Sequence, residues 1–95
     1  MTFISISEAP SRTAYEGVAA HVGLPGNPPA GLVLHTAGEL ESGRVRIVDI
    51  WESEQAMRSF WPERLRPALE AAGIDHQRIT GHREVLESFA CVAPR

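Results

Sequence analysis

Three residues in this 95-residue chain have types and settings suited to chemistry: His35, Asp49 and Trp51. Asp49 is the one carboxylate inside the apolar run Val45-Arg46-Ile47-Val48-Asp49-Ile50-Trp51. Turned to an interior, it would lose solvation and become a candidate general base. Paired with Arg44 or Arg46, or turned to solvent near the strand end, it would be structural, as lone strand carboxylates usually are. His35 lies mid-run in Gly31-Leu32-Val33-Leu34-His35-Thr36-Ala37. An imidazole moves protons near neutral pH, but only with a partner within hydrogen-bond reach. Without one, His35 is a core or interface histidine.

Trp51 closes its apolar run, and Trp61 follows beside Phe60 on an apolar helical stripe. Both tryptophans read either as core or as walls of a pocket for an aromatic ligand, with an indole N–H left to orient it. Phe60 would line the same pocket. Tyr15 and Arg64 could reach its mouth, and both also fit helix-surface roles. His21, His76 and His82 are scattered, with no metal-ligand spacing between them, so no metal site is expected.

These side chains need elements to hold them. Phe3 to Ser7 alternates apolar and hydroxyl residues, a short first strand with Ile4 and Ile6 on one side. Ser11 is a suitable N-cap for a helix carrying Tyr15, Val18, Ala19 and Val22, stopped by Gly23. Residues 24–29, Leu-Pro-Gly-Asn-Pro-Pro, form a connector. The spacing predicts a second strand over 31–37, a hairpin through 38–43 and a third strand over 44–51. Ser53 caps a second helix with Ala56, Met57, Phe60, Trp61, Leu65, Ala68, Leu69 and Ala72 on one stripe. Pro62 and Pro67 predict a break near Phe60–Pro62, with Pro62 opening a second helical piece and Gly73 ending it. Arg83 to Val92 is the fourth strand, with Val85, Phe89 and Cys91 on one side.

The order β-α-β-β-α-β defines a ferredoxin-like α+β domain over residues 1–95: a four-stranded antiparallel sheet with both helices on one face. The other face still carries apolar residues, and a second copy's sheet would bury them, so a homodimer is expected. The hairpin register decides the site. A four-residue turn over Glu39–Ser42 pairs His35 with Arg46 and turns it away from Asp49 and Trp51. A one-residue slip or a bulge brings all three together.

Composition removes other classes. The formal charge is −3, and nine arginines with no lysine are interspersed among twelve acids, which disfavours nucleic acid. One cysteine rules out an intrachain disulfide. The N-terminus lacks a basic region and no apolar run approaches the ~20 residues that span a bilayer, so a cytoplasmic protein away from membranes is expected.

The run His35-Thr36-Ala37-Gly38, a short hairpin, then Val48-Asp49-Ile50-Trp51-Glu52-Ser53, continues through Ala56, Phe60, Glu63-Arg64-Leu65 and Pro67-Ala68-Leu69 to Gly73. It resembles the dimeric α/β-barrel proteins related to antibiotic-biosynthesis monooxygenases, in particular small actinobacterial members. The resemblance spans the chain from about Ser11 onward. It implies a homodimer with a pocket in each protomer between sheet and helices. Some relatives oxidise aromatic polyketides with O₂ and neither metal nor flavin; others degrade haem, isomerise or only bind. Trp51 matches the strand-end tryptophan of the oxygenase and haem-degrading branches. The axial histidine of the haem degraders is absent, since Phe60, Trp61 and Pro62 occupy that place. The first-strand asparagine is absent too, because residues 2–7 contain none.

The expectation is therefore a cofactor-free, monooxygenase-like enzyme, or a related cyclase or isomerase, acting on a hydrophobic, aromatic metabolite. Asp49 or His35 would manage a proton beside Trp51, with Trp61, Phe60, Arg64 and Tyr15 around the ligand. The rival is a non-catalytic dimeric module that binds a small ligand or assists a neighbouring enzyme.

Overall fold

Alternation, capping and glycine stops produce the elements of the computed structural model, which describes residues 2–24, 26–74, 83–90 and 92. Strand β1 (Phe3–Ala9) leads to helix α1 (Arg12–Val22), then β2 (Leu32–Glu39) and β3 (Val45–Trp51). Helix α2 (Glu54–Phe60) widens into a π turn over Trp61–Leu65, and α3 (Arg66–Ala71) continues it; β4 (Glu84–Glu87) completes the sheet. All neighbours are antiparallel in the order β2-β3-β1-β4. This is the ferredoxin-like βαββαβ arrangement.

Both helix starts follow from serine caps. Ser11 accepts from the Ala14 amide and Ser53 from the Ala56 amide, satisfying donors that the first helical turn leaves open. Gly23 ends α1 at φ 96°, where a side chain would be strained.

Two expectations are corrected, and the hairpin alternative left open is decided. The two prolines do not break the second helix. Pro62 and Pro67 lack the amide protons α winding needs, and a turn with the Arg66 amide bonded to the Trp61 carbonyl, five residues back, accommodates them. The hairpin is tighter than a four-residue turn. The Leu40 amide bonds the Arg44 carbonyl at 2.7 Å, leaving a three-residue loop, Glu41–Gly43, with Gly43 at φ 89°. The fourth strand stops at Glu87; the Ser88 amide still bonds the Thr2 carbonyl at 2.8 Å, and beyond it the Ser88 hydroxyl bonds the Ala90 carbonyl at 2.9 Å, a local bond in place of the ladder. Phe89 is 96% exposed, and Cys91, His76 and His82 lie outside the described residues.

Pairing fixes the two faces of the sheet. Ser5 and His35 both stand opposite Asp49, and Phe3 and Leu32 both stand opposite Trp51, so these six side chains share one face. The buried residues Val45, Asp49 and Trp51 lie on it, below the helices, with Val22, Ala68 and Leu69 of α1 and α3 completing the core. On the other face Ile4 and Ile6 neighbour Ile50, Val48, Leu34 and Leu86. Leu34 is 50% and Leu86 41% exposed there. No described helix is long and apolar enough to cross a membrane.

Candidate functional site

Asp49 faces the core because odd-numbered β3 residues do, and its carboxylate would be costly there without partners. His35 supplies one. The three-residue hairpin sets Leu40 opposite Arg44, which carries His35 to a position directly opposite Asp49. Relative to the four-residue turn, pairing shifts by an odd number of residues, and an odd shift turns every β2 side chain over. His35 Nδ1 lies 2.5 Å from Asp49 Oδ1. The side chains are 20% and 10% exposed, so water screens this contact weakly.

The second imidazole nitrogen is also engaged. Tyr15 sits on the apolar stripe of α1, and its Oη lies 2.5 Å from His35 Nε2. The ring planes are 8° from parallel with centroids 5.9 Å apart, so the phenol meets the imidazole edge-on, along the in-plane lone pair. A carboxylate only accepts, so Nδ1 carries the proton and donates to Asp49. In the neutral ring Nε2 is then an acceptor, and the Tyr15 hydroxyl donates to it. Burial and the nearby Asp49 charge push the Tyr15 hydroxyl above the ordinary phenol range, so it rests as the neutral phenol. The result is a continuous chain, phenol to imidazole to carboxylate, across α1, β2 and β3.

Trp51, two residues from Asp49 on the same face, is 1% exposed. Its ring meets Phe60 at a centroid distance of 5.2 Å and a 46° tilt. The indole Nε1 is buried and meets no acceptor among the described residues, and an unmet buried donor costs about 1–3 kcal/mol. Phe60 is thus a ring against Trp51, and Trp61 opens the π turn half-buried. Phe60 also lines a cleft of about 420 Å³ with Pro29, Gly31, Glu52, Ser53 and Arg64. Gly31 is essential to that wall. It has φ 83°, and a Cβ there would lie 2.4 Å from the Ala56 Cβ.

Arg64 lies apart from the Tyr15 chain. Its Nη2 donates to the Val22 and Asn27 carbonyls at 2.6 and 2.5 Å, capping the C-terminal end of α1 and tying down the connector. Arg46 of β3 and the adjacent Arg44 engage Glu8 on the other face of the sheet. Arg44 Nε and Arg46 Nη2 bond it at 2.8 and 2.7 Å. Hydrogen bonds from Arg46 and then Arg44 hold the Glu8 carboxyl down at about 2. Among the described residues no three His, Cys, Asp or Glu side chains come together as a metal cage. Sequence reasoning gave Tyr15 a place at the ligand mouth and missed it as the second partner of His35. The signal was there: Tyr15 lies on the same helical stripe as Val18, Ala19 and Val22.

No family model matches the sequence, and no curated protein matches it. Solved structures match its fold. A protein from Chloroflexus aurantiacus assigned to the antibiotic biosynthesis monooxygenases superposes with TM-score 0.71 at 8% identity, covering 98% of both chains. Rv0793 from Mycobacterium tuberculosis gives 0.69 at 13% identity, over 98% of this chain and 100% of that one. The ActVA-Orf6 monooxygenase of Streptomyces coelicolor, solved in complex with nanaomycin D, gives 0.62 at 20% identity, covering 98% and 92%. The chain thus has the ferredoxin-like fold of the antibiotic-biosynthesis-monooxygenase-like proteins.

Proposed function

We propose that this protein is a small-molecule enzyme of the cofactor-independent monooxygenase type, acting on a hydrophobic, hydroxylated aromatic metabolite. The observation that carries the reading is the unbroken chain Tyr15–His35–Asp49 on the helix-covered face of the sheet. A carboxylate behind an imidazole fixes its tautomer and stabilises the imidazolium that forms when it accepts a proton. Deprotonating a phenol or enol makes the ring electron-rich, which is what reaction with O₂ requires when the protein supplies no redox group. Trp51 adds a buried N–H with no acceptor among the described residues, suited to a carbonyl or oxyanion of the bound molecule. The nanaomycin D complex of a protein with this fold supports a ligand of this kind.

The working unit is a homodimer in the cytoplasm, paired through the open sheet face. Ile4, Ile6, Leu34, Val48, Ile50 and Leu86 form an apolar surface there that no described helix covers, and burying it is the favourable term for pairing. The test is oxygen uptake by the purified protein with a panel of hydroxylated polyaromatics. Uptake that Asp49→Asn and His35→Ala abolish is expected; no uptake and no product from any member overturns the oxygenase reading. One observation favours a non-catalytic ligand-binding module: Trp51 packs on Phe60 and Arg64 holds backbone carbonyls, so these groups are engaged within the fold. Ligand binding without turnover in the same panel would select it.

A further inference from the structure

Both nitrogens of His35 are occupied, Nδ1 by Asp49 and Nε2 by Tyr15. A base with no free nitrogen cannot take a proton from a substrate directly. Its remaining outlet is the Tyr15 oxygen, which donates one proton to His35 and keeps lone pairs of its own. We infer that Tyr15 is the catalytic residue that meets the substrate, and that it takes the proton of a phenolic or enolic O–H while passing its own to His35. This rests on the reading of the His35–Asp49 pair as a proton acceptor and names the group in front of it.

The step balances without a co-reactant. The substrate O–H bond breaks and a new O–H bond forms on Tyr15. The original Tyr15 O–H bond breaks and an N–H bond forms on His35 Nε2. The products are a substrate oxyanion and an imidazolium, and no electron changes hands. Charges then alternate along the line: oxyanion, neutral phenol, imidazolium, carboxylate. A resting tyrosinate would instead place two anions on either side of a neutral ring, and burial already opposes it. The arrangement selects oxygen acids over carbon acids, because an O–H forms a hydrogen bond to Tyr15 before transfer and a C–H does not.

Tyr15 is the only tyrosine in the chain, so biosynthetic 3-fluorotyrosine labels this site alone without altering its packing neighbours. The probe is 4-nitrophenol, whose anion is yellow, with 4-nitroanisole as the analogue that has no O–H. On binding to the unlabelled protein, the anion-to-phenol ratio of the probe is expected to rise about tenfold, the equivalent of about one pKa unit. The ¹⁵N signals of His35 move to those of the imidazolium, and the single ¹⁹F signal of the labelled protein shifts with 4-nitrophenol and not with 4-nitroanisole. Tyr15→Phe binds the probe and leaves it neutral. Equal anion formation in Tyr15→Phe, a ¹⁹F signal that stays put while the anion forms, or no binding of 4-nitrophenol each overturns the inference. These outcomes separate it from the oxygenase reading. Oxygen uptake lost in His35→Ala but kept in Tyr15→Phe removes Tyr15 alone. Anion formation without oxygen uptake on any polyaromatic removes the oxygenase and keeps the proton path.

Discussion

Strand β3 builds a polar cluster on each side of the sheet, and the two behave differently. On the open side, Arg46 and the neighbouring Arg44 hold Glu8. On the helix side, Asp49 is held by His35 and, behind it, Tyr15. Each has a carboxylate with nitrogen donors on it. Arginine never gives up its proton, so the Glu8 cluster is a fixed set of charges. Histidine binds a carboxylate through one nitrogen and accepts or releases a proton at the other. The same strand thus carries a static ion cluster and a line along which a proton can travel, separated by one step of the pleat.

The sharpest way to break this contrast is activity. Asp49→Asn is expected to lower kcat for any substrate found by about a hundredfold or more, the usual worth of general acid–base catalysis, whereas Glu8→Gln leaves kcat unchanged. Equal losses in steady-state assays would abolish the distinction. Next comes association. Leu34→Asp removes two half-exposed leucines from a symmetric pair, at about 1 kcal/mol each, and brings two charges together, so sedimentation should show monomer where the parent is dimeric. A parent that is already monomeric defeats the pairing proposal. Third, Asp49→Ala strands the His35 Nδ1–H in the core and should reduce unfolding free energy by about 2 kcal/mol in urea titrations. An unchanged midpoint would mean that the contact contributes nothing.

The smallest effects separate the clusters by pH. The Glu8 carboxyl is lowered from 4.5 to about 2, so its contribution is complete above the unfolded value and lost as pH falls toward 2. Glu8→Gln should flatten that acid limb. Tyr15 is raised above 10.0, so its contribution is complete below that value and lost as pH rises beyond it. Tyr15→Phe should flatten the alkaline limb alone, as urea midpoints across pH would record.

The element order was legible because alternation in β1 and β3, serine caps and glycine stops are local signals. So was one fact about the site that pairing Asp49 with Arg44 or Arg46 overlooked. Positions 44 and 46 share a parity that 49 does not, so a regular strand already places both arginines on the other face. What local signals did not settle was whether His35 joins Asp49. That depends on the left-handed conformation of Gly43, which shortens the loop and turns β2 over. The fit of Tyr15 to His35 needed the packing of α1 on the sheet, a long-range relation that spacing along one element does not encode.

The wide turn at Trp61–Leu65 has a consequence for the phase of the helix around it. At about 100° per residue, uninterrupted α winding would put Leu69, nine residues after Phe60, on the opposite side of the axis. Phe60 must meet Trp51, yet Ala68 and Leu69 must reach the core. The extra residue held in the turn subtracts rotation and brings both segments round to the sheet. Deleting one residue there would leave a smoother helix and a misaligned one. Either Phe60 would leave Trp51, or Leu69 would face water.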